Sequence, residues 1–190
     1  MSRTFRRHGR AIRATFGEGE LELLRSLRDQ LREALASPDP DDPVIKRLFP
    51  PAVLGDPEAE REMRALLVDD LLASRLAGLD ALVGLLDRGT LHRGSVRIDL
   101  VDDEPMLVLG VLNDVRLAIG ARIDIEALDR GSVTDDDPVS YRLALMDHLG
   151  WWQEQLLSIM GGSGIDGEVG TDGASGGDLP GGRGEARGDP

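Results

Sequence analysis

Residues 106–119 set the strongest limit on what this chain can become. The segment carries Met106, Leu107, Val108, Leu109, Val111, Leu112, Val115, Leu117, Ala118 and Ile119, and its charged or amide interruptions are Asn113, Asp114 and Arg116. Asp102-Asp103-Glu104-Pro105 precedes it. That is the order of a helix start, with acids at the positive end of the dipole and proline in the first turn, where its missing N–H costs nothing. Gly120 reads as the C-cap. A helix apolar on nearly every side has to be surrounded by other apolar elements. Lipid is not the answer, because the uninterrupted apolar stretch at residues 105–112 is far below the ~18 residues of a membrane span. The segment is therefore expected to be the hub of a leucine-built helical bundle.

The flanking sequence supplies the partners. Leu21, Leu24, Leu27, Leu31 and Leu35 recur at spacings of three and four, which predicts a helix over Glu18–Ala36. The run Ser37-Pro38-Asp39-Pro40-Asp41-Asp42 ends it, and a short helix is expected at residues 43–49. Asp56-Pro57 is an N-cap followed by proline at the first helical position, opening the longest helix, to about Asp87. Its leucines, from Leu66 to Leu86, cover more than one face, so burial on several sides is expected. Asp137-Pro138 opens a last helix to about Met160, with a stripe of Leu145, Leu149, Trp152, Leu156 and Ile159. The acid runs before these helices are read as caps.

The strands are few. His8-Gly9 reads as a turn between residues 4–7 and 11–16, with Phe5, Ile12, Ala14 and Phe16 inward. Residues 95–100 alternate with period two and are expected to join the hairpin as a third antiparallel strand. The fold class is mainly α (α+β): a helical bundle with a small antiparallel sheet from the N-terminal hairpin and the strand near 95–100. Residues 1–160 form a single domain in this reading. Residues 161–190, rich in glycine and acids, form a tail that cannot bury enough surface to offset its ordering entropy, and it is expected to be disordered.

Catalytic and metal-binding patterns are missing from the sequence. There is no cysteine, so thiol chemistry, thiolate metal sites and disulfides are excluded. The three histidines, His8, His92 and His148, are far apart, and no phosphate-cradling or dinucleotide glycine loop is present. No Gly-x-Ser-x-Gly nucleophile turn occurs. The expectation is a protein that is not an enzyme and needs no cofactor. A net charge of −13 argues against coating nucleic acid by bulk charge. Against that balance the first residues are basic: Arg3, Arg6, Arg7, Arg10 and Arg13, with no acid among them, are candidate contacts to a partner or to DNA phosphates. Trp151 adjoins Trp152 and points about 100° away from it on a helix, which makes Trp151 a candidate exposed anchor for a partner. On the apolar hub helix, Asn113, Asp114, Arg116 and Arg122 form a candidate polar network, since buried polar groups need partners. Asp69, Asp70 or Asp80 of the longest helix is the carboxylate expected for Arg116.

Several segments together resemble a known family. They are Phe5-Arg6-Arg7 through Glu22-Leu23-Leu24, residues 42–50, Glu62-Met63-Arg64 with Asp69-Asp70-Leu71, residues 112–122, and Leu149-Gly150-Trp151-Trp152-Gln153-Glu154. The chain resembles, over about residues 3–160, the actinobacterial domain-of-unknown-function family that includes the oxidative-stress transcriptional regulator AosR. The resemblance implies a small, cytoplasmic, non-catalytic regulator of transcription under oxidative stress, acting through the transcription machinery, such as a sigma factor, with promoter DNA as a further partner. The residues themselves leave a second reading open, a protein–protein adaptor with no nucleic-acid role.

Overall fold

The computed structural model describes residues 3–53 and 55–162. The order of elements is β1 (Phe5–His8), β2 (Ala11–Gly17), α1 (Glu18–Ala36), α2 (Pro43–Leu48), α3 (Pro57–Asp87), β3 (Thr90–His92), β4 (Ser95–Leu100), α4 (Glu104–Arg122) and α5 (Pro138–Gly161), with a 3-10 turn at Arg130–Ser132. The fold is α+β: five α-helices cover one face of a four-stranded antiparallel sheet of order β1-β2-β4-β3.

Helix starts follow the carboxylates. Asp42 accepts from the Val44 N–H at 2.7 Å, Asp56 from Glu58 and Ala59 at 3.0 and 3.1 Å, and Asp137 from Val139 at 2.8 Å. At α1, where Gly17 has no side chain to offer, the Glu20 carboxylate reaches back to the Gly17 N–H at 2.7 Å. Each such cap contributes about 1 kcal/mol by satisfying a donor left open at a helix N-terminus. The expectation of capping fails for Asp103, whose side chain makes no cap bond at α4; Glu104 instead accepts from the Val101 N–H and from Arg88.

The hub behaves as its composition requires. Val108, Val111, Leu112 and Val115 of α4 are buried, and α1, α2, α3 and α5 all pack against this helix. The core continues into the sheet through Phe5, Ile12, Ala14, Phe16, Ile98 and Leu100. Aromatic rings join the two layers: Trp152 of α5, fully buried, meets Phe16 edge-on at 5.3 Å, and Phe16 meets Phe5 at 5.9 Å.

Four expectations are corrected. α4 does not end at Gly120; it runs on to Arg122, and Gly120 is a buried contact point, where a Cβ would sit 3.3 Å from Ile125 and 3.4 Å from Met146. α3 is not buried on several sides along its length, since Leu67 and Leu71 are 44% and 46% exposed and the buried leucines are Leu79, Leu82, Leu85 and Leu86. Its first half extends past the elements available to cover it. A fourth strand, β3, joins the sheet through a two-residue turn, Arg93-Gly94, whose φ values of 51° and 77° are both left-handed, as a tight hairpin turn matching strand twist requires. Finally, the bound expected for the last element moves by one residue, to Gly161, while the rest of the tail lies outside the described residues.

The loop entering β3 is tightly packed. A Cβ on Gly89 would lie 2.3 Å from Val96 Cγ1 and 3.0 Å from the Leu86 carbonyl oxygen. Gly89→Ala is therefore expected to lower unfolding stability by about 1–3 kcal/mol through overpacking, read as a lower urea midpoint at unchanged slope.

Candidate functional site

Strand alternation decides which side chains the sheet offers to solvent. With Phe5, Ile12, Ala14, Phe16, Ile98 and Leu100 inward, the opposite positions are Arg6 and His8 on β1, Arg13 and Thr15 on β2, Ser95, Arg97 and Asp99 on β4, and Thr90 and His92 on β3. Register aligns them in rows: Arg6 opposes Arg13 and Arg13 opposes Asp99, while Thr15 opposes Arg97 and Arg97 opposes Thr90. The outer face thus holds three arginines, two histidines and a single carboxylate, on a chain of net charge −13. Arg10 and Arg93 stand at the two hairpin turns that border it.

Arg13 and Asp99 are tied to each other. The guanidinium donates to both carboxylate oxygens, Nε to Oδ1 at 2.7 Å and Nη2 to Oδ2 at 2.8 Å, and Nη2 lies 3.0 Å from His8 Nδ1. The hydrogen bonds from Arg13 hold the Asp99 carboxyl below its ordinary value, and those to Asp99 raise the Arg13 guanidinium. Asp99 is thereby neutralised by Arg13, and Arg97 adds a further positive charge beside it. Arg6, Arg10, Arg93 and Arg3 donate no hydrogen bond to any described residue, so the positive field of this face is not cancelled locally.

The predicted contact residues divide. Arg6 and Arg13 lie on the face, and Arg10 at its turn. Arg7 does not join them: it is on the inward side of β1 and donates to the Ile159 carbonyl of α5 at 2.8 Å. Trp151 is not an exposed anchor. It is half-buried against His148, with ring centroids 5.8 Å apart, and lines a hollow at the corner of the sheet with Arg3, Thr15, Glu20 and Ser95. Arg97 and His92 were not singled out from sequence. The alternation of residues 95–100 already placed Arg97 beside Ser95 and Asp99 on one side.

The polar residues of α4 form no single network. They project to different sides at about 100° per residue, and each finds a separate partner. Asp114 pairs with Arg75 of α3, whose guanidinium also donates to the Leu48 carbonyl at 3.2 Å and lies 5.5 Å over the Phe49 ring. Arg116 donates to Gln153 of α5 at 2.5 Å, with Gly150 leaving the room it needs, and not to Asp69, Asp70 or Asp80. Asp80 is taken by Arg28 and Arg32 of α1 at 2.5 and 2.9 Å. Arg122 pairs with Asp42 at 2.9 Å. Asn113 is exposed. These are ties that fix α4 against α3, α5 and the start of α2.

Among the described residues no group of three His, Cys, Asp or Glu side chains is placed to hold a metal ion, and no helix is long and apolar enough to cross a membrane. Fold and face together define a small α+β protein with helices on one side of its sheet and an arginine-bearing surface on the other. Residues 2–160 match the family described as Domain of unknown function (DUF2017), and the chain belongs to it. No curated protein and no solved structure matches the chain.

The Arg13–Asp99 pair has a pH signature. Because the folded carboxyl titrates below its unfolded value, its stabilising contribution is complete above the ordinary aspartate range and is lost as pH falls through the folded value. The gap in thermal midpoint between the wild type and Asp99→Asn is expected to be present at pH 7 and to close below about pH 3. A gap of constant size would remove the pair as its source.

Proposed function

We propose that this protein is a cytoplasmic, non-catalytic regulator that docks an anionic surface of a protein partner on the outer face of its sheet. The observation that carries this reading is the concentration of Arg6, Arg13 and Arg97 on one uncovered sheet face of a strongly acidic chain. Such a charge contrast orients encounters and speeds association with a partner of opposite sign, while like charge elsewhere disfavours wrong approaches. The resemblance of residues 3–160 to AosR-like regulators points to the transcription machinery, and to a sigma factor in particular, as the partner. Response to oxidative stress, if it follows the family, uses no thiol of this chain, which has no cysteine.

Protein contact is favoured over duplex DNA by two features. The outer positions of the sheet include no aromatic residue on which a base could stack. The arginine stripe on α1, Arg25, Arg28 and Arg32, would be the natural groove-facing helix, but it is neutralised by Asp87, Asp29 and Asp80. DNA phosphates remain a secondary anion for the face, readable without sequence preference. The adaptor reading uses the same face and differs in its partner alone.

Binding to purified sigma factor and core RNA polymerase by fluorescence anisotropy tests the proposal. The double variant Arg6→Ala/Arg97→Ala is expected to bind about 5–30-fold more weakly, the sum of two exposed charge contacts of up to about 1 kcal/mol each. Absence of binding to either component, or equal affinity for wild type and variant, overturns it. A promoter fragment and a scrambled fragment should bind alike at every salt concentration.

A further inference from the structure

The outer sheet face is open in the described residues, yet the chain carries a segment suited to lie on it. Residues 163–182 contain Asp166, Glu168, Asp172 and Asp178 and no lysine or arginine. They enter from a defined place. The last turns of α5 run alongside edge strand β1, with the Phe5 N–H donating to Gln155 Oε1 at 3.3 Å and Arg7 to the Ile159 carbonyl at 2.8 Å. Both pairs advance in the same direction, so α5 ends beside the β1–β2 turn, where Arg10 stands and Arg6 and Arg13 begin the outer face.

We propose that residues 163–182 dock across the outer face of the sheet and compete there with the anionic partner. The proposal rests on the reading of that face as an anion-docking surface. Geometry permits it. Four strands at about 4.8 Å spacing make a face ~15 Å across. A chain advancing up to ~3.4 Å per residue brings Asp166 to the near strands and Asp172 past the far one. The glycines at 164, 167, 170, 173, 176 and 177 let the backbone approach the strand surface without side-chain obstruction. Opposite charge supplies the attraction, and the covalent tether supplies the concentration, on the order of millimolar for a short connection. Exposed carboxylate–guanidinium pairs are weak singly and screened by salt. The segment is therefore a graded competitor that a partner with more carboxylates or better shape displaces.

The test uses the full chain and a fluorescein-labelled decaglutamate peptide as the anionic probe. Asp166→Asn/Glu168→Gln/Asp172→Asn/Asp178→Asn is expected to bind the probe 3–10-fold more tightly than the wild type at about 50 mM salt, with the difference gone near 500 mM. In ligand-free samples, backbone amide signals of residues 5–17 and 90–100 should shift between the two chains. If the two chains bind equally and their amide signals coincide, while Arg6→Ala/Arg97→Ala still loses the probe, segment docking is wrong and the face reading survives. If Arg6→Ala/Arg97→Ala binds the probe as the wild type does, or no chain binds it, the face reading itself falls.

Discussion

The arrangement depends on one requirement, that a helix with apolar residues on nearly all sides be kept from water. Helix α4 meets it by standing in the middle of α1, α2, α3 and α5, with Val108, Val111, Leu112 and Val115 buried. Burial of side chains of this size contributes roughly 1.5–3 kcal/mol each, so the surrounding helices have little freedom to rearrange. What remains apolar on their far sides meets the inner face of the sheet through Trp152, Phe16 and Phe5. Every helix is thus engaged on one side of the sheet, and the other side is left to solvent and to polar residues.

The ion pairs sort by the same logic. Those near the hub, Arg75–Asp114 and Arg116–Gln153, hold helices in register, and each arginine is consumed by a packing duty. Breaking one partner of such a half-buried pair would leave the other without compensation, which costs more than the pair contributes. On the sheet, by contrast, only Arg13 is engaged by a carboxylate with ideal two-point geometry. The surface charge that is free to act on another molecule is therefore concentrated where no helix packs.

Helices were legible because their signals are local. An Asp-Pro pair, a leucine stripe and a breaker sit within a few residues of one another, and α1, α3 and α5 begin where those signals place them. Strand β3 was not, because three exposed residues give no alternation to read, and its turn is Arg93-Gly94 in place of the asparagine– or aspartate–glycine pair that announces such a turn. The partner of Arg116 was beyond reach for a different reason. Which of several acids or amides lies opposite depends on the packing of α4 on α5, and no local pattern encodes that. The basic N-terminus was visible as composition, but its division into outward Arg6, inward Arg7 and paired Arg13 emerges with the register of β1 and β2.

The two borders of the sheet limit how any other molecule can attach. One border is β1, where the end of α5 lies alongside and takes up the Phe5 N–H. The other is β3, only three residues long. Neither presents an extended row of open amides, so a visiting polypeptide finds no template for adding itself as a fifth strand. Recognition is pushed toward side-chain chemistry, and the protein is shielded from the edge-to-edge pairing by which small sheets polymerise.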